Sequence, residues 1–286
     1  MKNLEILKEF TPSPTSEEVA AVIESVMTKV SQNANKECYK LCYSLIDLTT
    51  LSSEDSEESV REFARAAVEF SAQRSDIPAV ASLCVYPSFV ETVGMEIDGT
   101  PLKITSVAGG FPSSQTFMEV KALECAMAVE SGADEIDVVL NVGKMLTGRY
   151  EEAMGEVALL REEIGEDTVL KVILESGALE SEDLIYAASL LVMLAGADFV
   201  KTSTGKQSPA ATPEAAVVIC MAIKAYYEQC GVRCGFKAAG GIRTAEDAVL
   251  YYTIVREILG EEWLTPEYFR LGASALAGAL VAKIDE

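Results

Sequence analysis

Two lysines stand at the ends of strand-like apolar runs, and each opens a loop of small residues. Lys201 follows Ala197-Asp-Phe-Val and precedes Thr-Ser-Thr-Gly, and Lys237 follows Cys234-Gly-Phe and precedes Ala-Ala-Gly-Gly. An amine whose pKa is lowered by a second amine can attack a carbonyl carbon and form a Schiff base. The alternative is that each lysine extends its stem over apolar surface and places its charge in solvent. The pair favours the chemical interpretation, but spacing alone does not identify the nucleophile.

An aspartate within a third apolar run is a candidate partner for these amines. Asp137 interrupts Glu135-Ile-Asp-Val-Val-Leu, and a carboxylate there is costly unless it is paired or hydrogen-bonded. One interpretation is a structural ion pair with Lys171, which alternation places on the same strand face as Ile173 and Glu175. The other is a proton shuttle, direct or through water, that helps to form and break a carbinolamine. The two are compatible, and we favour the shuttle.

Three glycine-rich turns follow consecutive strand-like runs and could hold a phosphate group. Backbone N–H groups in such turns bind phosphate oxygens, and barrels commonly hold phosphate in the loops after their last two strands. One glycine turn is more often a tight connection, so the series of three carries the prediction. The predicted phosphate-binding residues are Thr204, Gly205, Lys206, Gly240, Gly241, Gly272 and Ser274.

Further candidates lie at the ends of the first and second strand-like runs and within the fifth. Asp47 and Thr49 could bind a substrate hydroxyl, although helix capping explains this pair equally well. We also count Lys171 as a candidate substrate-binding residue. Cys84 is interpreted as a wall residue, because the sequence contains no histidine to activate its thiol.

The composition narrows the chemistry and the partners. A chain of 286 residues without histidine lacks Ser-His and Cys-His nucleophile pairs and histidine metal sites. The formal charge of −22 argues against nucleic acid or an anionic membrane as a partner. A phosphorylated substrate therefore requires basic residues concentrated at one place. No run approaches the roughly 18 apolar residues of a membrane span.

The cysteines and the amino terminus bear on location. Seven cysteines fit a reducing compartment better than a disulfide framework, and the first residues lack the apolar block of a signal peptide. We therefore expect a cytoplasmic protein. Cys38/Cys42 and Cys230/Cys234 have a spacing that zinc could use, but strand-like runs begin within or just after each pair, so we expect no metal there.

Eight short apolar runs alternate with helical patterns, and several are continuously apolar, as parallel strands covered on both faces are. This alternation predicts an α/β fold, a single (β/α)8 TIM barrel with an extra N-terminal helix. We expect an extension over about residues 1–40 and the barrel over residues 41–286. The predicted strands are Leu41–Asp47, Ala79–Val85, Lys103–Val107, Glu135–Leu140, Leu170–Glu175, Phe199–Thr202, Gly235–Ala239 and Phe269–Gly272.

Helix-start signals occupy several of the intervening segments. Ser56, Thr212 and Thr244 each precede a helical pattern as a candidate N-cap. Ser114-Gln-Thr-Phe is predicted to lead a helix through Val129, and an amphipathic helix is predicted from about Ser16. A doubly wound open sheet is the structural alternative. The lack of a G-x-G-x-x-G turn after the first strand disfavours dinucleotide binding. In a barrel, catalytic groups come from the carboxyl ends of different strands. This arrangement predicts that five residues are neighbours: Asp47, Cys84, Asp137, Lys201 and Lys237.

With these residues in place, the sequence resembles the class I deoxyribose-phosphate aldolases. The segments that carry the resemblance extend from the first predicted strand to the last helix in the expected order, and the two lysine-bearing segments are the specific ones. The matching segments are Ile46–Leu51, Leu83–Pro87, Val107–Pro112, Glu135–Val139, Phe199–Lys206, Gly235–Arg243 and Phe269–Ser274.

The resemblance implies roles that spacing left open. Lys201 matches the lysine that forms the imine, Lys237 matches the lysine that lowers its pKa, and Asp137 matches the acid/base aspartate. It implies reversible cleavage of 2-deoxy-D-ribose 5-phosphate to D-glyceraldehyde 3-phosphate and acetaldehyde, in the catabolism of deoxyribose phosphate, with no metal or other cofactor. Some relatives end in a tail with a tyrosine that assists proton transfer, whereas this sequence ends Ala282-Lys-Ile-Asp-Glu. Water or another residue is then expected to assist.

Other assignments remain open on the sequence alone. The expected partners are small phosphorylated sugars and aldehydes, and whether the chain is a monomer, a homodimer or a larger homo-oligomer is undetermined. The nearest alternative is another imine-forming barrel aldolase or a transaldolase. A catalytically silent sugar-phosphate-binding barrel would keep the glycine turns, but it would not require two lysines and Asp137 inside the barrel.

Overall fold

Eight parallel strands form the centre of the molecule. The computed structural model describes residues 5–179 and 181–286, so residues 1–4 of the predicted extension lie outside the described part. Each strand pairs with the next, and the eighth pairs with the first to close the barrel. The strands are β1 (Ile46–Thr49), β2 (Ser82–Val85), β3 (Lys103–Ala108), β4 (Glu135–Val139), β5 (Val169–Ile173), β6 (Phe199–Lys201), β7 (Gly235–Ala239) and β8 (Phe269–Ala273).

Helices surround this barrel and precede it. None of the described helices is long and apolar enough to cross a membrane. The described residues contain three short 3-10 helices, Glu5–Glu9, Pro87–Phe89 and Glu261–Trp263, and twelve α-helices: α1 (Ser16–Asn33), α2 (Lys36–Ser44), α3 (Glu57–Gln73), α4 (Val90–Ile97), α5 (Met118–Glu130), α6 (Val142–Leu146), α7 (Tyr150–Ile164), α8 (Ser176–Leu179), α9 (Glu182–Leu194), α10 (Pro213–Cys230), α11 (Ala245–Ile258) and α12 (Leu276–Asp285).

The predicted (β/α)8 barrel and the extra N-terminal helix are confirmed. Three helix-start signals mark real N-caps, because the side chains of Ser56, Thr212 and Thr244 each accept a hydrogen bond from a backbone N–H of the first turn. The helix predicted after Ser114 begins only at Met118, without a side-chain cap. Helix α1 packs against α10 and α11, and the side chain of its buried Asn33 donates to the hydroxyl of Thr253 at 3.0 Å. The chain before β1 is thus fastened to the outer helices of the barrel.

The first predicted strand began too early. Residues 41–44 belong to α2, whose N-cap Asn35 accepts a hydrogen bond from the Cys38 N–H, and the strand starts at Ile46. Helix α2 turns Cys38 and Cys42 to one side, with sulfur atoms 4.0 Å apart. A short apolar run is compatible with either a helix or a strand, which explains why the strand was predicted to begin too early. Since α2 crosses residues 40 and 41, the division between extension and barrel stays a prediction.

The fifth predicted strand ended too late. Strand β5 stops at Ile173, and Glu175 has a φ of 53°, a left-handed conformation that takes it out of the strand alternation. Glu175 therefore does not share the strand face of Lys171. Its buried carboxylate accepts hydrogen bonds from the Thr204 hydroxyl at 2.6 Å and the Thr204 N–H at 3.3 Å, which links the loops after β5 and β6.

Alternation along the strands separates apolar residues from charged ones. In β4, Ile136 and Val138 lie in the hydrophobic core, while Glu135 and Asp137 take part in hydrogen bonds inside the barrel. Barrel interiors are commonly filled by branched apolar side chains. Here the interior contains charged groups instead, so the barrel itself positions the chemistry.

Candidate active site

A cavity of about 400 Å³ opens at the carboxyl ends of β1, β6, β7 and β8. Its lining includes three basic residues, Lys201, Lys206 and Arg243, and none of the described residues that line it is acidic. This meets the sequence-based requirement that basic residues gather at one place in a strongly acidic chain. The predicted residues that line the cavity are Thr49, Lys201, Thr204, Gly205, Lys206, Gly240, Gly241, Gly272 and Ser274.

Lys201 forms the floor of this cavity and lies beside Lys237. The two residues are register partners on β6 and β7. The Nζ atoms of Lys201 and Lys237 each lie 2.7 Å from the same oxygen of Asp137, Oδ2. A carboxylate that contacts both amines can take a proton from either one and return it, which is what acid/base exchange at a carbinolamine requires.

Asp47 and Lys171 lie deeper than the cavity wall. Asp47 Oδ2 is 2.5 Å from Lys237 Nζ, and Lys171 Nζ is 3.2 Å from Asp137 Oδ1. Both residues are fully buried. The structure therefore places these two candidate substrate-binding residues in the ion network below Lys201 and Lys237. Asp47 also accepts a hydrogen bond from the Ser82 hydroxyl at 2.8 Å, which is a strand-to-strand contact.

Glu135 and Arg270 complete the network at a lower level of the barrel. Arg270 donates through Nη2 to Glu135 Oε1 at 2.7 Å and through Nη1 to Asp47 Oδ1 at 2.5 Å. Glu135 also pairs with Lys171. The Arg270 guanidinium carbon lies 5.6 Å from the centre of the Phe199 ring, and the missing side chain of Gly235 leaves room for that ring.

Seven charged side chains therefore share the barrel interior, and each is at most 4% exposed. They comprise four cationic and three anionic residues, so the group would carry one net positive charge if every member were ionised. A buried charge is tolerated only when it is paired. The members are Lys171, Lys201, Lys237, Arg270, Asp47, Glu135 and Asp137.

The surrounding charges shift the pKa values of Lys201 and Lys237 in opposite directions. Burial lowers the pKa of Lys201, and the neighbouring charge of Lys237 lowers it further. The carboxylate of Asp137 acts in the opposite direction but does not outweigh these two effects. Burial also disfavours the charge of Lys237, but Asp137 and Asp47 together outweigh it and raise the pKa of Lys237. Lys201 is thus the amine that gives up its proton more readily, and Lys237 stays charged.

Asp137 is held in its ionised form by the same neighbours. Burial alone would raise its pKa, but the charges of Lys171, Lys201 and Lys237 hold the pKa well below the usual aspartate range. Cys84 behaves differently, because burial raises the pKa of its thiol. Cys84 therefore remains an uncharged group beside the amines, as the wall interpretation expects.

The glycine turns shape the upper part of the cavity. Gly205, Gly240 and Gly241 have φ values of 76°, 88° and 84°, which side chains rarely adopt. The loops after β6 and β7 also pack closely, since a Cβ on Gly240 would lie 3.1 Å from the Cα of Gly205 and 2.7 Å from the Cβ of Ala210. Gly272 leaves room for the Lys237 stem, because a Cβ there would lie 3.1 Å from Lys237 Cε.

Helix α12 begins at this cavity with its amino terminus. Its N-cap, Ala275, offers no side-chain cap, and Ser274 and Ala275 both line the cavity. The first N–H groups of a helix need an acceptor, and the helix dipole favours an anion at that position. Together with Lys206 and Arg243, this end of the cavity has the chemistry of a phosphate site.

The sequence reasoning missed Arg270 and Arg243 and gave no role to Glu135. A signal for Arg270 existed, because it interrupts the apolar run Phe269–Ala273 just as Asp137 interrupts β4. Metal ligation has no candidate in residues 5–179 and 181–286, where no cluster of three or more cysteine, aspartate or glutamate side chains could hold an ion.

Comparison with known proteins gives consistent matches. The sequence profile of the DeoC/LacD family aldolases matches residues 42–257. The deoxyribose-phosphate aldolase of Mus musculus is 41% identical over 249 residues, which cover 84% of this chain and 78% of that protein. The Homo sapiens deoxyribose-phosphate aldolase is 39% identical over 250 residues, with the same two coverages.

A solved structure shares the architecture. The deoxyribose phosphate aldolase of Aeropyrum pernix, described as tetrameric, superimposes with a TM-score of 0.67 at 26% sequence identity. The superposition covers 96% of this chain and 99% of that one. The similarity therefore includes the described N-terminal helices as well as the barrel.

Proposed function

The chain belongs to the DeoC/LacD family of aldolases, and we propose that Lys201 is the amine through which it acts. The reaction is the reversible cleavage of 2-deoxy-D-ribose 5-phosphate to D-glyceraldehyde 3-phosphate and acetaldehyde, which makes the chain a carbon–carbon lyase. One observation carries the assignment of Lys201: among the four cationic residues of the barrel interior, it is the one that lines the cavity.

The reaction begins when the unprotonated Lys201 amine attacks C1 of the open-chain aldehyde. The resulting carbinolamine loses water and becomes a protonated imine, which acts as an electron sink. Asp137 Oδ2, 2.7 Å from Lys201 Nζ, is placed to exchange protons with the carbinolamine and to face the positive imine nitrogen. Its lowered pKa keeps it an acceptor in the resting site.

The next step breaks the bond between C2 and C3. A base takes the proton of the C3 hydroxyl, the bonding electrons move into the imine to give an enamine, and D-glyceraldehyde 3-phosphate leaves with carbons C3 to C5. The enamine is then protonated at C2, and water releases acetaldehyde and the free amine. Lys237 remains protonated beside Asp137, so it maintains the positive field that lowers the pKa of Lys201.

The phosphate of the substrate occupies the upper end of the cavity in this proposal. The α12 amino terminus, the glycine loops after β6 and β7 and the side chains of Lys206 and Arg243 all line that end. Holding the phosphate there fixes the distance of the aldehyde from Lys201. Such positioning removes much of the entropic cost of bringing the reacting atoms together.

Reductive trapping tests the role of Lys201. We expect borohydride with acetaldehyde to attach an ethyl group to Lys201, as shown by peptide mass analysis. With 2-deoxy-D-ribose 5-phosphate, the adduct on Lys201 should be the reduced five-carbon sugar phosphate before cleavage or an ethyl group after it. Lys206→Met, which alters the proposed phosphate end, should keep trapping with acetaldehyde but weaken it with the phosphorylated sugar. An adduct on Lys237, or no adduct at all, contradicts the assignment.

We further propose that the chain associates with copies of itself. Support comes from an exposed apolar face on α5 and the residue before it, where Phe117 is 78% and Leu123 is 60% exposed, with Val120 and Met127 beside them. The Aeropyrum pernix relative is described as a tetramer. Light scattering should give a mass above that of one chain, and Leu123→Glu should lower it. A monomeric wild type would overturn the proposal.

A cytoplasmic location is proposed as well. All seven cysteines are free thiols, and six of them are buried. Free thiols in this number suit a reducing compartment. Fractionation of cells that contain the protein should place it with the soluble contents, and recovery from an oxidising compartment would contradict this.

A further inference from the structure

We infer that Glu135 and Arg270 act as positioning residues for the reaction. Together they set the net charge of the barrel interior, and this net charge determines how readily Lys201 takes up a proton. This inference rests on the proposed role of Lys201 as the imine-forming amine. Neither residue lines the cavity, so their influence must pass through other side chains.

Two chains of contacts connect Arg270 with Lys201. In the first, Arg270 pairs with Asp47 at 2.5 Å, Asp47 with Lys237 at 2.5 Å, and Lys237 with Asp137 at 2.7 Å. In the second, Arg270 pairs with Glu135, which pairs with Lys171. Both chains end at Asp137, the partner of Lys201.

Solvent screens these contacts weakly, because every member is nearly or fully buried. Strand order fixes the geometry as well. Glu135 is the first residue of β4, and Lys201 is the last residue of β6, so the network extends through the depth of the barrel. A charge removed at the lower level therefore changes the field at the mouth without removing any group from the cavity wall.

The charge count gives the direction of the effect. Arg270 keeps its proton at all working pH values. With Lys171 and Lys237 also charged, three cationic residues balance the three carboxylates, and the interior is neutral when Lys201 is unprotonated. Replacing Arg270 by a neutral residue makes the interior neutral when Lys201 is protonated. Replacing Glu135 by a neutral residue leaves an excess positive charge even before Lys201 binds a proton.

The other polar and charged groups of the network are the same in these variants. Thr105 on β3 contributes a hydroxyl, and Lys103 at the start of β3 lies 4.0 Å from Glu135 Oε1 with its side chain half exposed. The charged or titratable groups that act directly on Lys201 are Cys84 (β2), Asp137 (β4) and Lys237 (β7). Behind them, Asp47 (β1) contacts Lys237, and Lys171 (β5) contacts Asp137.

The test compares Arg270→Gln, Glu135→Gln and the double variant by the rate of imine trapping with acetaldehyde as a function of pH. We expect the pH midpoint of Arg270→Gln to rise by about one unit and that of Glu135→Gln to fall by about one unit. The double variant should return close to the wild-type midpoint. Loss of packing alone would not move the two single variants in opposite directions.

Charge-conserving controls protect the test against poor folding. Arg270→Lys and Glu135→Asp keep the charge count and should keep the midpoint near that of the wild type, with circular dichroism to verify the fold. If Arg270→Gln does not fold, a lowered midpoint in Glu135→Gln with an unchanged midpoint in Glu135→Asp supports the inference. Unchanged midpoints, or shifts in one common direction, overturn it. A wild type that forms no adduct on Lys201 instead refutes the proposed function.

Discussion

At the scale of single residues, Lys201 and Lys237 hold paired positions on neighbouring strands but have different surroundings. Lys237 lies between two carboxylates, Asp47 and Asp137. Among the described residues, Lys201 contacts one carboxylate, that of Asp137, and it faces the cavity. Removing one partner of a buried ion pair leaves an unpaired charge. This lowers the free energy of unfolding more than removing a charge that was in excess. The two lysines should therefore differ in their contributions to stability.

This difference predicts opposite behaviour of two matched variants. Lys237→Met should lower the free energy of unfolding by about 3 to 5 kcal/mol, since Asp47 loses its nearest amine. Lys201→Met should leave it unchanged or raise it, because Asp137 keeps Lys171 and Lys237 and the net positive charge disappears. Urea unfolding at neutral pH measures both values, and trapping should be lost in Lys201→Met. A larger loss of stability in Lys201→Met would contradict the charge count.

At the scale of elements, the loops after β6 and β7 form one unit at the cavity. Gly205 and Gly240 lie so close that a Cβ on Gly240 would be 3.1 Å from the Cα of Gly205, and Lys206 and Arg243 beside them line the same cavity. Glu175 fixes the β6 loop from the other side through Thr204. The phosphate end therefore depends on the fit between loops as much as on the charges they carry.

Two neighbouring glycines offer a matched test of this fit. Both have positive φ, so alanine strains the backbone in each case. A Cβ on Gly240 would also clash with Ala210, whereas a Cβ on Gly241 would meet no described atom within 4 Å. Gly240→Ala should raise the KM for 2-deoxy-D-ribose 5-phosphate at least about tenfold more than Gly241→Ala, with acetaldehyde trapping retained in both. Steady-state kinetics decides, and equal effects would mean that backbone strain alone matters.

The elements were predictable where local signals define them. N-caps at Ser56, Thr212 and Thr244 and the apolar runs fixed the order of helices and strands, and hence the barrel. The end of β5 was not predictable, because the left-handed conformation of Glu175 depends on its contact with Thr204 in the next loop. Tertiary contacts decide such boundaries.

The lower part of the site, Arg270 and Glu135, could not be predicted from the sequence for a related reason. Arg270 and Glu135 are 135 positions apart, and only the register of the closed barrel brings them to 2.7 Å. Alternation shows that each faces inward, but it does not show which inward residues meet. The mouth residues were found because glycine loops and strand ends mark them. Nothing in the sequence marks a pairing across the barrel.

At the scale of the whole molecule, an acidic exterior surrounds a barrel interior rich in cationic residues. The chain has 45 acidic and 23 basic residues, and four of those basic residues lie in the interior network. Acidification removes repulsion between surface carboxylates, which favours the compact state until the charge approaches zero near pH 4.4. The buried carboxylates respond to acid in the opposite direction.

Asp137 shows the sign of this response. Its folded-state pKa lies well below its unfolded value, so the stability it contributes is present above the unfolded pKa of about 3.9 and is lost as pH falls below it. Asp47 and Glu135 also have lowered pKa values, which Arg270, Lys171 and Lys237 cause against the effect of burial. Unfolding then takes up protons, and the free energy of unfolding should fall steeply below about pH 4.

Urea unfolding as a function of pH tests this prediction. Each carboxylate that binds a proton only on unfolding adds up to about 1.4 kcal/mol per pH unit to the slope of unfolding free energy against pH. Asp137→Asn should reduce the slope below about pH 4 by up to that amount. Asp98→Asn changes an exposed aspartate and should leave the slope as in the wild type. Equal slopes in all three proteins would mean that surface carboxylates, and not the barrel interior, govern the acid stability of the molecule.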